Sequence, residues 1–153
     1  MIYRLGIISD THGLLRPEAL AALRGSERIL HAGDVGKPEV LQRLSVLAPV
    51  TAVRGNNDKG VWTDELPACA RVELGQVGIY LLHDLAELDI DPARAGIHIV
   101  ISGHSHKPSI SERDGVLYLN PGSAGPRRFK LPIAVAELVI SDQVLARIIP
   151  LQV

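Results

Sequence analysis

Hydrophobic positions in the first third of the chain alternate between two spacings. Compact apolar runs predict strands at 3–9 (YRLGIIS), 28–32 (RILHA) and 50–54 (VTAVR), and the segments between them predict helices over 17–24 and 38–47. Each predicted helix begins at a proline, a residue that suits the first helical position, and the second has an apolar stripe from Val40 to Leu47. The pattern therefore predicts a βαβαβ unit with a parallel sheet.

After Asn56 the pattern changes to short strands separated by turn residues. The apolar runs lie at 70–74, 77–83, 97–102, 116–120, 133–140 and 144–151, and the turn sequences GQVG, RDG and SDQ join several of them. Such turns connect neighbouring antiparallel strands, so we expect a second, mostly antiparallel sheet. The longest piece without a clear pattern is NNDKGVWTDELPAC at 56–69, and long loops of this kind often border functional sites.

Length and composition indicate an ordinary globular protein with one core. The chain has 153 residues, 46% of them apolar and 22% charged, and shows neither repeats nor a linker, so we expect a single domain over 1–153. A formal net charge of −1 without a basic cluster gives no sign of binding to a nucleic-acid polymer. An anionic substrate would have to be attracted locally, and a bound cation can do this.

Cysteine usage and the N-terminal sequence bear on location. Cys69 is the single cysteine, which excludes an internal disulfide and a CxxC zinc site. The N-terminal stretch MIYRLGIISD lacks the features of a signal peptide, and no run approaches the about 18 apolar residues of a membrane helix. We therefore expect a cytoplasmic protein with no membrane segment.

Polar side chains able to bind metals follow the predicted strands, where each strand ends. Alone, each has an ordinary explanation, because aspartate and asparagine are common in turns and a histidine is usually a hydrogen-bonded structural residue. Together they form an ordered series at the carboxyl ends of strands, where open α/β sheets bind ligands. The residues are Asp10, His12, Asp34, Asn56, His83, His104 and His106.

The series DxH, GD, GNxD, H and GHxH, followed by NPGS at 120–123, resembles the calcineurin-like metallophosphoesterases. The resemblance spans nearly the whole chain and is strongest to the small single-domain group that contains the YfcE-type phosphodiesterases and Vps29. It implies a two-sheet α/β/β/α sandwich and two divalent metal ions bridged by Asp34. One ion would be bound by Asp10, His12, Asp34 and His106, and the other by Asp34, Asn56, His83 and His104.

Carboxylate, amide and imidazole ligands without thiolate agree with that implication. They suit Mn²⁺, which we expect, and equally leave Ni²⁺, Fe²⁺, Zn²⁺, Co²⁺ and Mg²⁺ open. Two such ions can hold a bridging hydroxide and stabilise the charge that develops on a phosphoryl group. The sequence therefore predicts a dinuclear phosphoesterase, favouring a phosphodiesterase that acts on small phosphate esters. The alternative is a catalytically weak or inactive protein-binding scaffold that resembles Vps29.

Two positions depart from the family pattern. Asn57 stands where many members have a histidine that protonates the leaving group, and Asp84 stands where members commonly have glycine after the ligand histidine. We assign Asn57 and Asp58 to catalysis, and we assign Asn57 together with Arg127 and Arg128 to substrate contacts. For the two arginines, a solvated basic turn is an equal alternative.

The other conspicuous residues are interpreted as structural. His31 and His98 lie within strand signals, and Trp62 is expected to pack in the loop at 56–69. For His31, which precedes Gly33 and Asp34, the alternative is a role in supporting the metal ligands from behind. Small members of the family are often oligomers, so the resemblance also implies a dimer or tetramer.

Overall fold

The strands of the protein form two five-stranded sheets, as a computed structural model of residues 1–153 shows. In chain order they are β1 (Tyr3–Ile8), β2 (Arg28–His31), β3 (Val50–Ala52), β4 (Cys69–Leu74), β5 (Val77–Leu82), β6 (Ile99–Ile101), β7 (Ser109–Arg113), β8 (Val116–Asn120), β9 (Ala134–Ile140) and β10 (Val144–Pro150). The first sheet has the order β10-β9-β1-β2-β3, and the second has the order β4-β5-β6-β8-β7.

The predicted βαβαβ unit is confirmed. β1 pairs parallel with β2, and β2 pairs parallel with β3, with α1 (Pro17–Leu23) and α2 (Pro38–Ser45) as the crossovers. Both helices begin at the predicted prolines and end one or two residues before the predicted ends. Gly25, with φ 85°, follows the C-terminus of α1, whereas α2 has no glycine at its C-terminus and its apolar stripe continues past the last helical turn to Leu47.

The largest part of the core lies between the two sheets. Leu5 and Ile7 of β1 point into this layer, where they meet Ile79 and Ile99 from the second sheet. Ile8, the next residue along β1, points to the opposite face and packs against the helices. The layers are therefore helix, sheet, sheet and an outer layer. This outer layer contains only a 3₁₀ turn (Leu85–Glu87) and the irregular segment around it.

The second half of the chain is mostly antiparallel, as predicted, with two findings that local sequence did not indicate. β5 and β8 both pair parallel with β6, so the second sheet is mixed. β9 and β10 leave that sheet and extend the first one, because β9 pairs antiparallel with β1. β7 (SISER) was not predicted, since it has one apolar residue and is exposed along its length.

The loop at 56–69 contains a 3₁₀ turn (Val61–Glu65), and Trp62 packs against the helix-facing core, which confirms its structural interpretation. None of the helices is both long and apolar enough to cross a membrane.

Candidate metal centre

All seven predicted ligands lie along one edge of the molecule. They follow β1, β2 and β3 in the first sheet and β5 and β6 in the second, at the carboxyl end of each strand. These five strands include the parallel pairs of both sheets, and the two parallel edges point the same way. The fold therefore brings together residues up to 96 positions apart in sequence, from Asp10 to His106.

Asp10 lies at the centre of the group. Its Oδ1 atom is 3.3 Å from Nε2 of His106, 3.8 Å from Nε2 of His12 and 3.9 Å from Nε2 of His83. The other oxygen, Oδ2, accepts hydrogen bonds from the Ser9 hydroxyl (2.6 Å) and the backbone N–H of His104 (3.1 Å). These two bonds fix the carboxylate so that Oδ1 faces three imidazoles.

Asp34 is the second carboxylate of the group. Its Oδ2 atom lies 3.3 Å from Nε2 of His83 and 3.6 Å from Nε2 of His12. Asn57 donates to both oxygens, from its backbone N–H to Oδ1 (2.9 Å) and from its amide Nδ2 to Oδ2 (3.1 Å). Burial acts to raise the pKa of Asp34, but the interactions with His83 and Asn57 outweigh it and hold the pKa well below its usual value. Asp34 is therefore an anion between two histidines.

Asn56 and His104 form the exposed rim of the group. Nδ1 of His104 is 3.3 Å from the amide oxygen of Asn56, and the ring of His104 lies 5.2 Å from the ring of His83. Nε2 of His104 is 3.8 Å from Asp84, whose carboxylate also accepts from the backbone N–H of Ala86. Asp84, one of the two departures from the family pattern, therefore lies near the ring nitrogen of His104 that is not beside Asn56, at a distance longer than a hydrogen bond.

The group has the properties of a divalent-cation site. Asp10 and Asp34 are 0% and 2% exposed, and every ion pair that either one forms is with a histidine. Buried carboxylates require positive charge nearby. Oδ1 of Asp10 and Nε2 of His83 are buried without a hydrogen bond; the close contact of His83 with Asp34 lacks hydrogen-bond geometry. Carboxylate, amide and imidazole donors of this kind fit a hard or borderline divalent ion.

The tautomer and pKa of His83 support the same interpretation. Nδ1 of His83 lies 2.8 Å from the carbonyl oxygen of Ala32 and donates to it, which leaves Nε2 directed at the carboxylates. Burial lowers the pKa of His83, but Asp34 and Asp10 outweigh burial and raise the pKa above its usual value. The two carboxylates stabilise positive charge at this position, whether it is a proton on Nε2 of His83 or a metal cation.

Two sets of atoms within the group can each ligate one ion. Asp10, His12 and His106 have donor atoms within 4.8 Å of one another, and so do Asp10, Asp34 and His83. The first set contains three of the four residues assigned to the first ion. In the second set, Asp10 joins two of the residues assigned to the second ion, whereas Asn56 and His104 stand further out. Asp10 is thus common to both sets, whereas Asp34, the residue assigned to both ions, belongs to the second set and lies 3.6 Å from His12 of the first.

The backbone of the ligand turns is unusual. Seven residues other than glycine have positive φ, and five of them are predicted ligands, with φ between 47° and 71°: Asp10, His12, Asp34, His104 and His106. Residues in this left-handed region cost of order 1 kcal/mol or more and occur mainly where the surroundings enforce them. The turns also pack closely, since a Cβ atom on Gly103 would lie 2.6 Å from Oδ2 of Asp10.

Asp58, assigned to catalysis from the sequence, is buried behind this group. Its carboxylate accepts from the backbone N–H groups of Val35 (3.1 Å), Gly36 (2.9 Å) and Gly55 (2.9 Å). These bonds join the turn after β3 to the turn after β2. The contacts give Asp58 the role of positioning Asn56 and Asp34, and they place neither of its oxygens among the donor atoms.

The two arginines assigned to substrate contacts differ in position. The Arg127 guanidinium donates to the carbonyl oxygens of Leu131 and Val153, each at 3.5 Å. Arg128 is exposed. Burial lowers the pKa of His106, and the positive charges of Arg128 and His12 lower it further, despite the opposing effect of Asp10. Arg128 is therefore the arginine nearer to the metal-binding group.

His31 lies directly behind the turns that carry the predicted ligands and supports them, so its buried position is compatible with both of its interpretations. His31 is fully buried, with Nδ1 accepting from the backbone N–H of Gly33 (3.1 Å) and Nε2 lying 3.0 Å from the Thr11 hydroxyl, which in turn donates to Val35. Burial, with the nearby His83, lowers the pKa of His31 to about 3. Both ring nitrogens are engaged, so neither is available to a metal ion. His98 lies elsewhere, and its Nδ1 accepts from the backbone N–H of Gly78.

Three residues that support the ligands were not singled out by the sequence. Ser9 holds Asp10, as described above. Asn120 donates to the carbonyl of Gly103 (2.9 Å) and to the Ser105 hydroxyl (3.1 Å), and the hydroxyl of Ser123 donates to the carbonyl of Asp10 (3.1 Å). The available signal was position, since Ser9 directly precedes a ligand and the other two begin and end the NPGS motif.

Comparisons with known proteins agree with this geometry. Residues 3–143 match the family model described as the calcineurin-like phosphoesterase superfamily domain. A protein of Methanothermobacter thermautotrophicus named as a probable metallophosphoesterase is 36% identical over 157 aligned positions, covering 95% of this chain and 91% of that protein.

Solved structures show the same fold. The structure of vacuolar protein sorting 29 from Cryptosporidium parvum is 22% identical in sequence and superimposes with a TM-score of 0.84. The alignment covers 99% of this chain and 92% of the Cryptosporidium chain. A protein described as a novel archaeal phosphodiesterase, at 25% identity, gives a TM-score of 0.82 over 97% of this chain and 99% of that one. The two-sheet fold expected from the sequence is thus confirmed.

Proposed function

The chain belongs to the calcineurin-like phosphoesterase superfamily, and from this premise we propose that it is a dinuclear metal-dependent phosphodiesterase of small phosphate esters. Its relatives named as probable metallophosphoesterases support a hydrolase of the phosphoesterase kind. The observation that carries the finer proposal is the pair of buried carboxylates, Asp10 and Asp34, whose charged partners are all histidines. The similarity to the archaeal protein described as a phosphodiesterase supports a diester, rather than a monoester, as the substrate of this chain.

The proposed ligand assignment follows the family resemblance, and the two sets of donor atoms support it in part. One ion would be held by Asp10, His12, Asp34 and His106, and the other by Asp34, Asn56, His83 and His104. Two distances support the assignment of Asp34 to both ions. Its Oδ2 atom lies 3.6 Å from Nε2 of His12, assigned to the first ion, and 3.3 Å from Nε2 of His83, assigned to the second. Manganese is the expected ion, and the donor set equally suits nickel, iron, zinc, cobalt or magnesium.

When bound, two such ions would supply a hydroxide nucleophile at neutral pH and stabilise the negative charge that develops on the phosphoryl oxygens. The residues of the chain hold and orient these ligands. Ser9 and the backbone of His104 fix Asp10, and Asp58 fixes the turn that carries Asn56. Arg128, near His106, provides positive charge at the entrance for an anionic ester.

Asn57 has the position of the residue that meets the leaving group, but its amide cannot donate a proton at neutral pH. General acid catalysis typically contributes about 10²–10⁴-fold, and an alkoxide needs that proton far more than a nitrophenolate does. We therefore predict a steep dependence of rate on leaving-group pKa, with aryl diesters cleaved readily and alkyl monoesters poorly. Asn57→His should raise kcat on alkyl esters more than on nitrophenyl esters.

The control for this prediction is Asn57→Ala, which removes the bond to Asp34 without adding an acid and should lower both rates together. Equal rates on alkyl monoesters and nitrophenyl diesters in the wild-type protein would show that another group donates the proton.

The function itself is tested by hydrolysis of bis-p-nitrophenyl phosphate with added Mn²⁺, Ni²⁺, Co²⁺ or Mg²⁺, together with the metal content of the purified protein. We expect hydrolysis that depends on the metal and is lost in Asp34→Ala. A protein that is inactive with all four ions would support the rival function, a binding scaffold comparable to Vps29. The full set of ligand types in this chain favours the enzyme.

The proposal extends to the whole protein. We propose that residues 1–153 form one phosphoesterase domain that assembles into a dimer or tetramer in the cytoplasm. A monomer by light scattering at micromolar concentration would contradict the oligomer, and cell fractionation tests the location.

A further inference from the structure

A polar cavity opens beside the metal centre, on the outer face of the second sheet. Its volume is about 250 Å³, and its walls extend from Asp84 and His104 to Arg113 on the edge strand β7. The cavity exists because the outer layer is thin here, with only the 3₁₀ turn Leu85–Glu87 beginning beside it. It also lies at the carboxyl ends of β6 and β8, the end of parallel strands at which α/β proteins bind ligands.

The far wall of the cavity is a row of polar side chains on β7. Ser109, Ser111 and Arg113 alternate along the strand, so they point to the same face. Ser109 pairs with Asn120, which holds the turn before His104, whereas Arg113 pairs with Val116 at the other end of β8. The row therefore leads away from the metal centre and places the backbone of Arg113 about 13 Å beyond that of Ser109.

Arg113 is held in place with its hydrogen-bond donors free. Its guanidinium carbon lies 4.5 Å from the centre of the Tyr118 ring, a stacking contact that orients the group. Other exposed arginines, such as Arg71 and Arg147, form ion pairs with carboxylates, but Arg113 has no ion pair or side-chain hydrogen bond. A guanidinium with this geometry binds carboxylate or phosphate groups through parallel N–H donors.

On the basis of the proposed phosphoesterase function, we infer that this cavity binds the second substituent of the phosphate ester, a small hydroxyl-rich group that ends in a carboxylate or phosphate. The serine hydroxyls match the hydroxyl groups, and Arg113 matches the anion. Asp84, at the metal end, repels an anion there and so directs it towards Arg113. The volume lies below the roughly 300–1,000 Å³ of drug-sized ligand pockets, which suits a short polyol substituent.

The test uses four phosphodiesters that share p-nitrophenolate as the leaving group. Their second ester group is formed from ethanol, glycerol, glycerate or glycerol phosphate, which gives the ethyl, the glyceryl and two anionic esters. We expect kcat/KM to rise from the ethyl to the glyceryl ester, and about tenfold further for an anionic ester, as one hydrogen-bonded charge contact implies. Whichever anionic ester is cleaved faster identifies the anion as carboxylate or phosphate. Equal kcat/KM values for all four esters would overturn the inference.

Two variants localise the effect. Arg113→Gln should reduce the ratio of kcat/KM between the anionic and glyceryl esters to near one. Arg28→Gln, at the exposed start of β2 and outside the cavity, should keep the wild-type ratio. A wild-type ratio in Arg113→Gln would show that the anion binds elsewhere.

The inference can fail separately from the proposed function. If the wild-type protein cleaves the ethyl ester but does not distinguish the others, the function stands and the cavity assignment falls. If it cleaves none of the esters, the proposed function falls, and the cavity is then tested by calorimetric titration with 3-phosphoglycerate, which has an anion at each end. Binding about tenfold weaker in Arg113→Gln would support the site, and equal binding would overturn it.

Discussion

The β7–β8 hairpin turn and the turns that carry the predicted ligands both adopt the left-handed backbone region, and they differ in what surrounds them. In the β7–β8 hairpin the residues are Asp114 (φ 53°) and Gly115 (φ 77°), and a methyl group on Gly115 would have nothing within 4 Å. At the metal centre the left-handed residues include Asp34 (φ 55°) and His104 (φ 71°), in turns packed closely against one another. A methyl group on Gly103 would lie 2.6 Å from Oδ2 of Asp10.

The hairpin is explained by local chemistry alone. An Asp-Gly pair with positive φ at both residues is a common two-residue hairpin turn, because its twist matches that of the strands. The metal-centre turns use residues that adopt this conformation at a cost, so distant hydrogen bonds must enforce it. Those bonds come from Asn57, Asp58 and Asn120. The turns of the predicted ligands are therefore held by contacts with distant residues, whereas the hairpin turn is set by its own two residues.

The largest difference between the two groups is expected for glycine. Gly103→Ala should lower the free energy of unfolding by about 3 kcal/mol and reduce metal content, because the new methyl group overlaps Ser9 and Asp10. Gly115→Ala should cost about 1 kcal/mol, the conformational penalty alone, and keep the metal. Urea unfolding and metal analysis measure both effects. Equal losses in the two variants would remove the distinction between the turns.

A smaller difference is expected for aspartate. Asp58→Ala leaves three backbone N–H groups without their acceptor and should lower the free energy of unfolding by about 2.5 kcal/mol. Asp114→Ala, in the hairpin, should cost at most about 1 kcal/mol. The same urea experiment measures this pair. If Asp58→Ala remains as stable as Asp114→Ala, the bonds from Asp58 do not hold the ligand turns.

A third difference concerns two histidines; it is absent at neutral pH and appears only as pH falls. The pKa of His31 is about 3 in the folded protein, against a usual value of 6.5, so below pH 6.5 the unfolded chain binds a proton that the folded protein does not. Stability should therefore fall with decreasing pH between 6.5 and about 3, at up to about 1.4 kcal/mol per unit, or about 2 kcal/mol at pH 5.

Unfolding measured as a function of pH in the presence of a chelator isolates this effect. His31→Gln should lose that part of the pH dependence, whereas His98→Gln, near the hairpin end of β5, should keep it. An unchanged pH dependence in His31→Gln would mean that other groups cause the acid sensitivity.

The same comparison explains how much could be predicted from the sequence. The βαβαβ unit and the β7–β8 turn depend on spacing and on residues next to each other, and the sequence predicted them. Strand β7 and the place of β9 in the first sheet depend on pairing with strands elsewhere. SISER has too little apolar character to be recognised, and nothing within β9 indicates that its partner is β1.

The candidate site shows the same division. The seven candidate ligands could be found because they follow the ends of five strands, and the resemblance supplied their grouping. The support from Ser9 and Asn120 and the role of Asp58 were missed, because a serine, an asparagine or an aspartate in a loop has many ordinary uses. Only the folded chain shows that Asp58 binds three backbone amides and that Asp84 lies beside His104.

Asp34 is proposed to join two metal ions, and the metal content of the purified protein after saturation with Mn²⁺ tests this role. We predict two ions per chain in the wild-type protein and in His31→Gln, and none in Asp34→Ala. Asp34→Asn, which keeps the size of the side chain, guards against an effect of misfolding and should also bind far less metal. Two ions retained by a folded Asp34→Ala or Asp34→Asn variant would contradict the account.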